Sequence, residues 1–210
     1  MERRSMIPIA VPVVLYFFSG LTILISVARV VQIAIDAVPD DSLRLMATPA
    51  SHLTHVVGGA LFGIIGPLQF GRVLARRYGW WHRVLGRVFV VSGAVLSISS
   101  LTLLWHFPDT HPPLVNYGRL VFGIGLGIAL IQAMRTIYAR DIPAHRNWMI
   151  RAYAIGMGAT LVSVAFVPIY VATGVPPMGL FADVLFIGLW AACVVFAEML
   201  IRRINKRKSS

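Results

Sequence analysis

Two short stretches hold the residue types best suited to chemistry: Trp80-Trp81-His82-Arg83-Val84-Leu85-Gly86-Arg87 and His145-Arg146-Asn147-Trp148-Met149-Ile150-Arg151. Each sets a histidine, arginines and tryptophan where a long apolar run begins. Two neutral imidazoles facing one another can ligate a haem iron from both sides. Arginines beside them can hold the two propionates through bidentate, charge-assisted hydrogen bonds. Arg83 and Arg87 are four apart and share a helix face, as do His82 and Gly86, so Gly86 leaves space beside His82. The alternative is structural. Both histidines lie near an expected membrane boundary, where they can serve as interfacial anchors that hydrogen-bond neighbouring loops.

A second group sits at the other ends of the apolar runs. His52 and His55 form an i, i+3 pair on one helix face. His106, Asp109 and His111 follow the next run and can approach that pair if the two helices are neighbours. Imidazole with carboxylate suits zinc, copper or nickel, so His52, His55, His106 and His111 are candidate metal ligands, although their spacing matches no known metal motif. No histidine falls at mid-membrane depth, which argues against a proton wire of imidazoles.

Charge inside an apolar run is costly and points to a pairing or a site. Arg119 and Asp183 sit at similar depth in the fourth and sixth runs and are expected to form an ion pair. Gln69, at the end of the second run, is expected to hydrogen-bond to the third or fifth. Glu198 and Arg202 are an i, i+4 pair. There is no phosphate-binding loop, dinucleotide fingerprint, nucleophile elbow or His-Glu-x-x-His, and Gly123-x-Gly125-x-Gly127 lies inside an apolar run rather than in a loop.

The elements that must position these residues are long apolar helices. Of the 210 residues, 58% are hydrophobic and 13% charged, against roughly half and a quarter in soluble domains. Six runs, near 7–30, 53–73, 84–106, 114–138, 148–173 and 179–201, are long enough to span a bilayer. Helix is the form that satisfies their backbone in lipid. The expected fold is all-α: a polytopic bundle of six transmembrane helices forming a single domain over residues 1–210. Ile7 to about Val27 exceeds the length of a signal-peptide core, so it is read as a retained first span.

Basic residues set the orientation. With the N-terminus inside, sixteen of the nineteen Lys and Arg residues fall on the inner side, and Arg29, Arg44 and Arg119 on the outer. This places both termini in the cytoplasm. It also explains the net charge of +11 by topology and contact with anionic lipid rather than by nucleic acid. Trp80, Trp81, Trp105 and Trp148 fall near run ends, as an aromatic belt requires. Gly59 and Gly63, Gly123 and Gly127, and Ala154 and Gly158 are each four apart. Such pairs let helices approach closely, or leave room for a flat cofactor. Cys193, the single cysteine, is expected to be apolar filler.

These residues together resemble a family. His55, Gly66-Pro67-Leu68-Gln69-Phe70, His82-Arg83-x-x-Gly86-Arg87 and His145-Arg146-x-Trp148-Met149-x-Arg151 look like the predicted membrane proteins grouped as domain of unknown function 2306. The resemblance covers the second to fifth runs and brings no established activity. It marks His55, Gln69, His82, Arg83, Gly86, Arg87, His145, Arg146, Trp148, Met149 and Arg151 as positions of interest. A more distant similarity is to the cytochrome b561 group, with six spans and a four-helix core holding bis-histidine haems on both sides of the membrane. Here the fourth run has no histidine, which leaves one conventional bis-histidine site, from His82 and His145.

Two functional expectations follow. The first is a cytoplasmic-face site at which His82, His145, Arg83, Arg87, Arg146, Arg151, Gln69 and His55 bind a b-type haem for one-electron transfer with a redox partner. The second is a non-enzymatic inner (plasma) membrane protein, either a small transporter or an accessory protein binding lipid or a partner.

Overall fold

The computed structural model describes residues 16, 19–20, 23–24, 27–28, 30–37, 48–106, 113–175, 177 and 179–209. These are helical apart from short turns and caps. The elements are α1 (Pro49–Gln69), α2 (Arg72–Arg77), α3 (Gly79–His106), α4 (Pro113–Tyr138), α5 (Ile142–Thr173) and α6 (Gly179–Ser209). Among the described residues, five helices (α1 and α3 to α6) are long and apolar enough to cross a membrane. Most of the first run, the loop histidine His111, Asp109 and Arg44 lie outside the described residues.

The long helices alternate in direction. The densest packing is between α1 and α3, α3 and α4, α4 and α5, and α5 and α6. Contacts of α1 with α5 close α1, α3, α4 and α5 into a four-helix core, with α3 and α5 on a diagonal and α6 against the outer side of α5. Lipid offers no hydrophobic incentive for helices to associate, so close packing must hold the bundle. At its centre Phe62 of α1 and Phe89 of α3 are fully buried and stack with centroids 4.3 Å apart. Tyr153 of α5 lies 5.9 Å from Phe62, and Leu126, Leu130 and Ala133 of α4 complete this cluster. A second cluster joins α4, α5 and α6, where Phe122 stacks on Trp190 at 4.5 Å. The outward faces remain apolar: Val121, Ile98 and Val171 are all exposed, as surfaces in contact with acyl chains should be.

Helix starts differ from the apolar boundaries in a way that matters for the site. The third and fifth runs are expected from residues 84 and 148, yet α3 begins at Gly79 and α5 at Ile142. Hydropathy sees the acyl-chain segment, whereas the helix continues through polar residues into the headgroup layer. At α5 the start has a local cause. The Asp141 side chain accepts from Ala144 N at 2.9 Å, and Pro143 occupies the first turn, where a missing N–H costs nothing. His82 and His145 therefore sit on helices rather than before them. The second run is cut short instead: α1 ends at Gln69, and α2 is a separate short helix. At its far end α5 stops at Gly174, whose φ of 71° supplies the left-handed cap.

Candidate functional site

At one end of the bundle α1 delivers Gln69, α3 delivers His82, Arg83, Gly86 and Arg87, and α5 delivers His145, Arg146 and Arg151. The Gln69 amide spans one turn of α3. With its nitrogen toward His82 it donates to His82 O and to His82 Nδ1, both at 3.2 Å, and its oxygen accepts from Gly86 N at 3.3 Å. The space left by Gly86 is thus taken by Gln69, whose amide group lies 3.3 Å from where a Cβ would stand. The expected bond from Gln69 to the third run is present. His82 and His145 lie within electrostatic range of each other. His145 Nδ1 faces Ala133 O at 2.8 Å. A carbonyl only accepts, so Nδ1 carries the proton and ties α5 to α4.

The two imidazoles consequently suit haem ligation unequally. His145, protonated at Nδ1 against a backbone carbonyl, has a bare Nε2, the arrangement that orients a metal-binding imidazole. His82 accepts at Nδ1 from Gln69, so in the neutral ring Nε2 holds the proton and has no lone pair to offer. Two-sided ligation by this pair does not fit the geometry.

The arginines divide into two classes. Arg151 Nε donates to Glu198 Oε1 at 2.5 Å and Nη2 to Glu198 Oε2 at 3.0 Å, and its guanidinium lies 4.6 Å from the Trp148 ring centroid. Arg146 Nη2 donates to Asn205 Oδ1 at 2.9 Å and to Asn147 Oδ1 at 3.2 Å. Both are tied to the α5–α6 contact rather than lining the rim of a haem site. The expected local neighbour Arg202 acts on Glu198 electrostatically, while the bidentate hydrogen bonds run across helices to Arg151. Arg83 and Arg87 are exposed on α3 and make no ion pair among the described residues.

At the opposite end His55 Nδ1 meets Ser99 Oγ of α3 at 3.1 Å. His52 lies one turn before His55 on α1, and His106 Nδ1 donates to Thr102 O of its own helix at 2.9 Å. No group of three His, Cys, Asp or Glu residues is placed to hold a metal among the described residues. Of the expected metal set, His52 acts electrostatically on His55, His106 bonds to its own helix, and His111 lies outside the described residues. No Arg119–Asp183 ion pair stands among the described residues. Arg119 lies over the Phe186 ring at 5.5 Å, and Asp183 is buried with Oδ1 unpartnered among the described residues. Sequence reading missed Ser99 as a partner of His55. Its position, near the end of a helix antiparallel to α1, is the signal that could have found it.

A comparison with curated proteins and with solved structures finds no match to this chain, so the likeness to the cytochrome b561 group has no support there. The family comparison does find one, over residues 52–201, which includes Gln69, His82 and His145 and all five of the long helices at least in part. The chain belongs to the family of predicted membrane proteins DUF2306.

Proposed function

We propose that this is a non-catalytic plasma-membrane protein of six spans, with both termini cytoplasmic, that holds anionic phospholipid headgroups at its His82 end. The observation that carries the reading is the set Arg76, Arg77, Arg83 and Arg87. All four are exposed and have no carboxylate partner among the described residues. They lie on α2 and the first turns of α3, beside the exposed rings of Tyr78, Trp80 and Trp81. Arg77 lies over the Tyr78 ring at 5.8 Å. Aromatic rings settle at headgroup depth, which brings the guanidiniums level with phosphate. Each basic residue there contributes about 1 kcal/mol toward an anionic surface. The positive-inside count supports the orientation.

Retention of phosphatidylglycerol against phosphatidylcholine by purified protein, read by native mass spectrometry, tests this. Replacing Arg76, Arg77, Arg83 and Arg87 with Gln should lower the preference at least tenfold. Replacing Arg135, Arg140, Arg202 and Arg203 should lower it less. Equal losses would show that net charge alone acts and would sink the localised site. Haem-based electron transfer draws support from His145 only, and a Soret band in protein from haem-replete cells would favour it over the lipid reading.

A further inference from the structure

The bundle contains a cavity that none of these assignments uses. It has a volume of about 260 Å³ and lies toward the His55 end between α1 and α5, with Ser19 and Ile23 of the first run and Leu96 of α3 completing its wall. Gly59 and Gly63 give it smooth apolar sides. Its size is near the lower limit for small-molecule pockets, roughly 300 Å³.

The polar groups on its wall can be read proton by proton. Ser99 Oγ donates to Leu96 O at 3.2 Å, which uses its single proton. With that proton on Leu96 O, the 3.1 Å contact with His55 Nδ1 runs from Nδ1–H to Oγ. A neutral imidazole protonated at Nδ1 has a bare lone pair at Nε2, and His55 lines the cavity. Ser163 Oγ donates to Ala159 O at 3.1 Å, and Thr160 Oγ1 to Met157 Sδ at 3.8 Å. These three wall groups present acceptors, and the Ser19 hydroxyl and the His52 imidazole, which carry protons, complete the polar lining. No carboxylate lines the cavity, and Arg119 acts electrostatically on His55, so a cation would be unstabilised. An anion would meet no Lys or Arg on the wall. A neutral hydroxyl, which donates and accepts, suits a wall that holds both kinds of group.

We propose that this cavity binds a neutral amphiphile bearing an alcoholic or phenolic hydroxyl, which donates to His55 Nε2 while the apolar body lies along Gly59 and Gly63. From His55 to Gly63 the wall of α1 is about 12 Å long, at 1.5 Å per residue. That accommodates a ring and a short chain, and a longer tail would continue among the lipids. The site is at the opposite end from the arginine set and does not rest on the phospholipid reading.

The test uses the full chain in nanodiscs with 4-hexylphenol and its methyl ether, 4-hexylanisole, as probes. The phenol should bind about tenfold more tightly, the value of one hydrogen bond near 1.4 kcal/mol. In wild-type protein with ¹⁵N-labelled histidine, saturating phenol should move the His55 Nε2 signal from the unprotonated imine position toward the hydrogen-bonded one, and the ether should not. Gly63→Leu, which fills the cavity, should abolish binding of both probes. His55→Phe should bind the two equally. Equal affinity of wild-type protein for phenol and ether, an unmoved Nε2 signal, or full binding by Gly63→Leu would each overturn the proposal. The nitrogen signal needs no variant, so a misfolded His55→Phe does not remove the test.

Discussion

Removing Arg151 should destabilise the bundle, and the loss should depend on Glu198. The two side chains are 27% and 36% exposed, between the regimes where ion pairs contribute up to about 1 kcal/mol and where breaking one costs about 3–5 kcal/mol. Arg151→Met keeps an unbranched stem against Trp148 and removes two charge-assisted bonds, leaving Glu198 without its cross-helix partner. The expected cost is about 2 kcal/mol, midway between the two regimes. Glu198→Met strands the guanidinium and should cost about the same. The double variant has no stranded charge and restores apolar packing between α5 and α6, so it should lose only about 1 kcal/mol. The expected coupling is then about 3 kcal/mol, at the upper end for residues in contact. Denaturant titration in mixed micelles, read by tryptophan fluorescence, measures all three. Losses that add within about 0.5 kcal/mol would refute the pairing. A negligible loss for Arg151→Met would return that arginine to the pool available for ligand.

Gly158→Ala should cost about 3 kcal/mol, because the added methyl would overlap the Trp190 indole and break its Nε1–H bond to Ile155 O at 2.6 Å; a red-shifted tryptophan emission would report the displaced ring. Gly59→Ala, whose methyl meets only Leu96 Cδ1 at 3.5 Å, should cost less than about 1 kcal/mol in the same titration. Ser97→Ala removes a bond from Ser97 Oγ to Gly123 O at 2.8 Å and should cost about 0.6 kcal/mol, the usual value between membrane helices; a loss above about 2 kcal/mol would show a larger role for this tie. Reporter fusions after Ser210 and near Asp40 should fall on opposite sides of the membrane, and the same side for both would overturn the six-span topology.

The middle of the membrane was legible in the sequence and its edges were not. Runs of apolar residues located α4 almost to the residue, 114–138 against Pro113–Tyr138. Where helices pass into the headgroup layer, polar residues hide them, so α3 and α5 begin five and six residues before the apolar boundary and α6 runs on to Ser209. Gln69 was expected to reach the third or fifth run, because a carboxamide near a span end needs a partner, and it reaches the third. The contacts of Glu198 with Arg151 and of Arg119 with Phe186 were hidden for a different reason. Sequence spacing reveals neighbours along one helix, whereas their contacts depend on how α5 sits against α6 and how Arg119 lies over Phe186.

The glycines show how packing and cavity arise from the same device. A methyl added at Gly66 would run into Tyr153, at Gly93 or Gly156 into Phe62, and at Gly158 into Trp190. Each of these glycines accepts an aromatic ring from a neighbouring helix, so the small residues serve packing rather than a flat cofactor at those places. Gly58 does the same for backbone, standing 3.3 Å, measured from an ideal Cβ, from Ser92 O of α3. Gly59 and Gly63 differ. A methyl at Gly59 would meet one leucine tip, and at Gly63 it would meet Ser19 and Met157 at ordinary contact distances of 3.5 Å or more. No ring fills the space in front of them, and this is where the cavity lies. Because interiors are otherwise packed to near crystal density, an unfilled stretch beside an imidazole with a bare lone pair is a feature that replacing Gly63 with a larger residue would erase without touching the aromatic core.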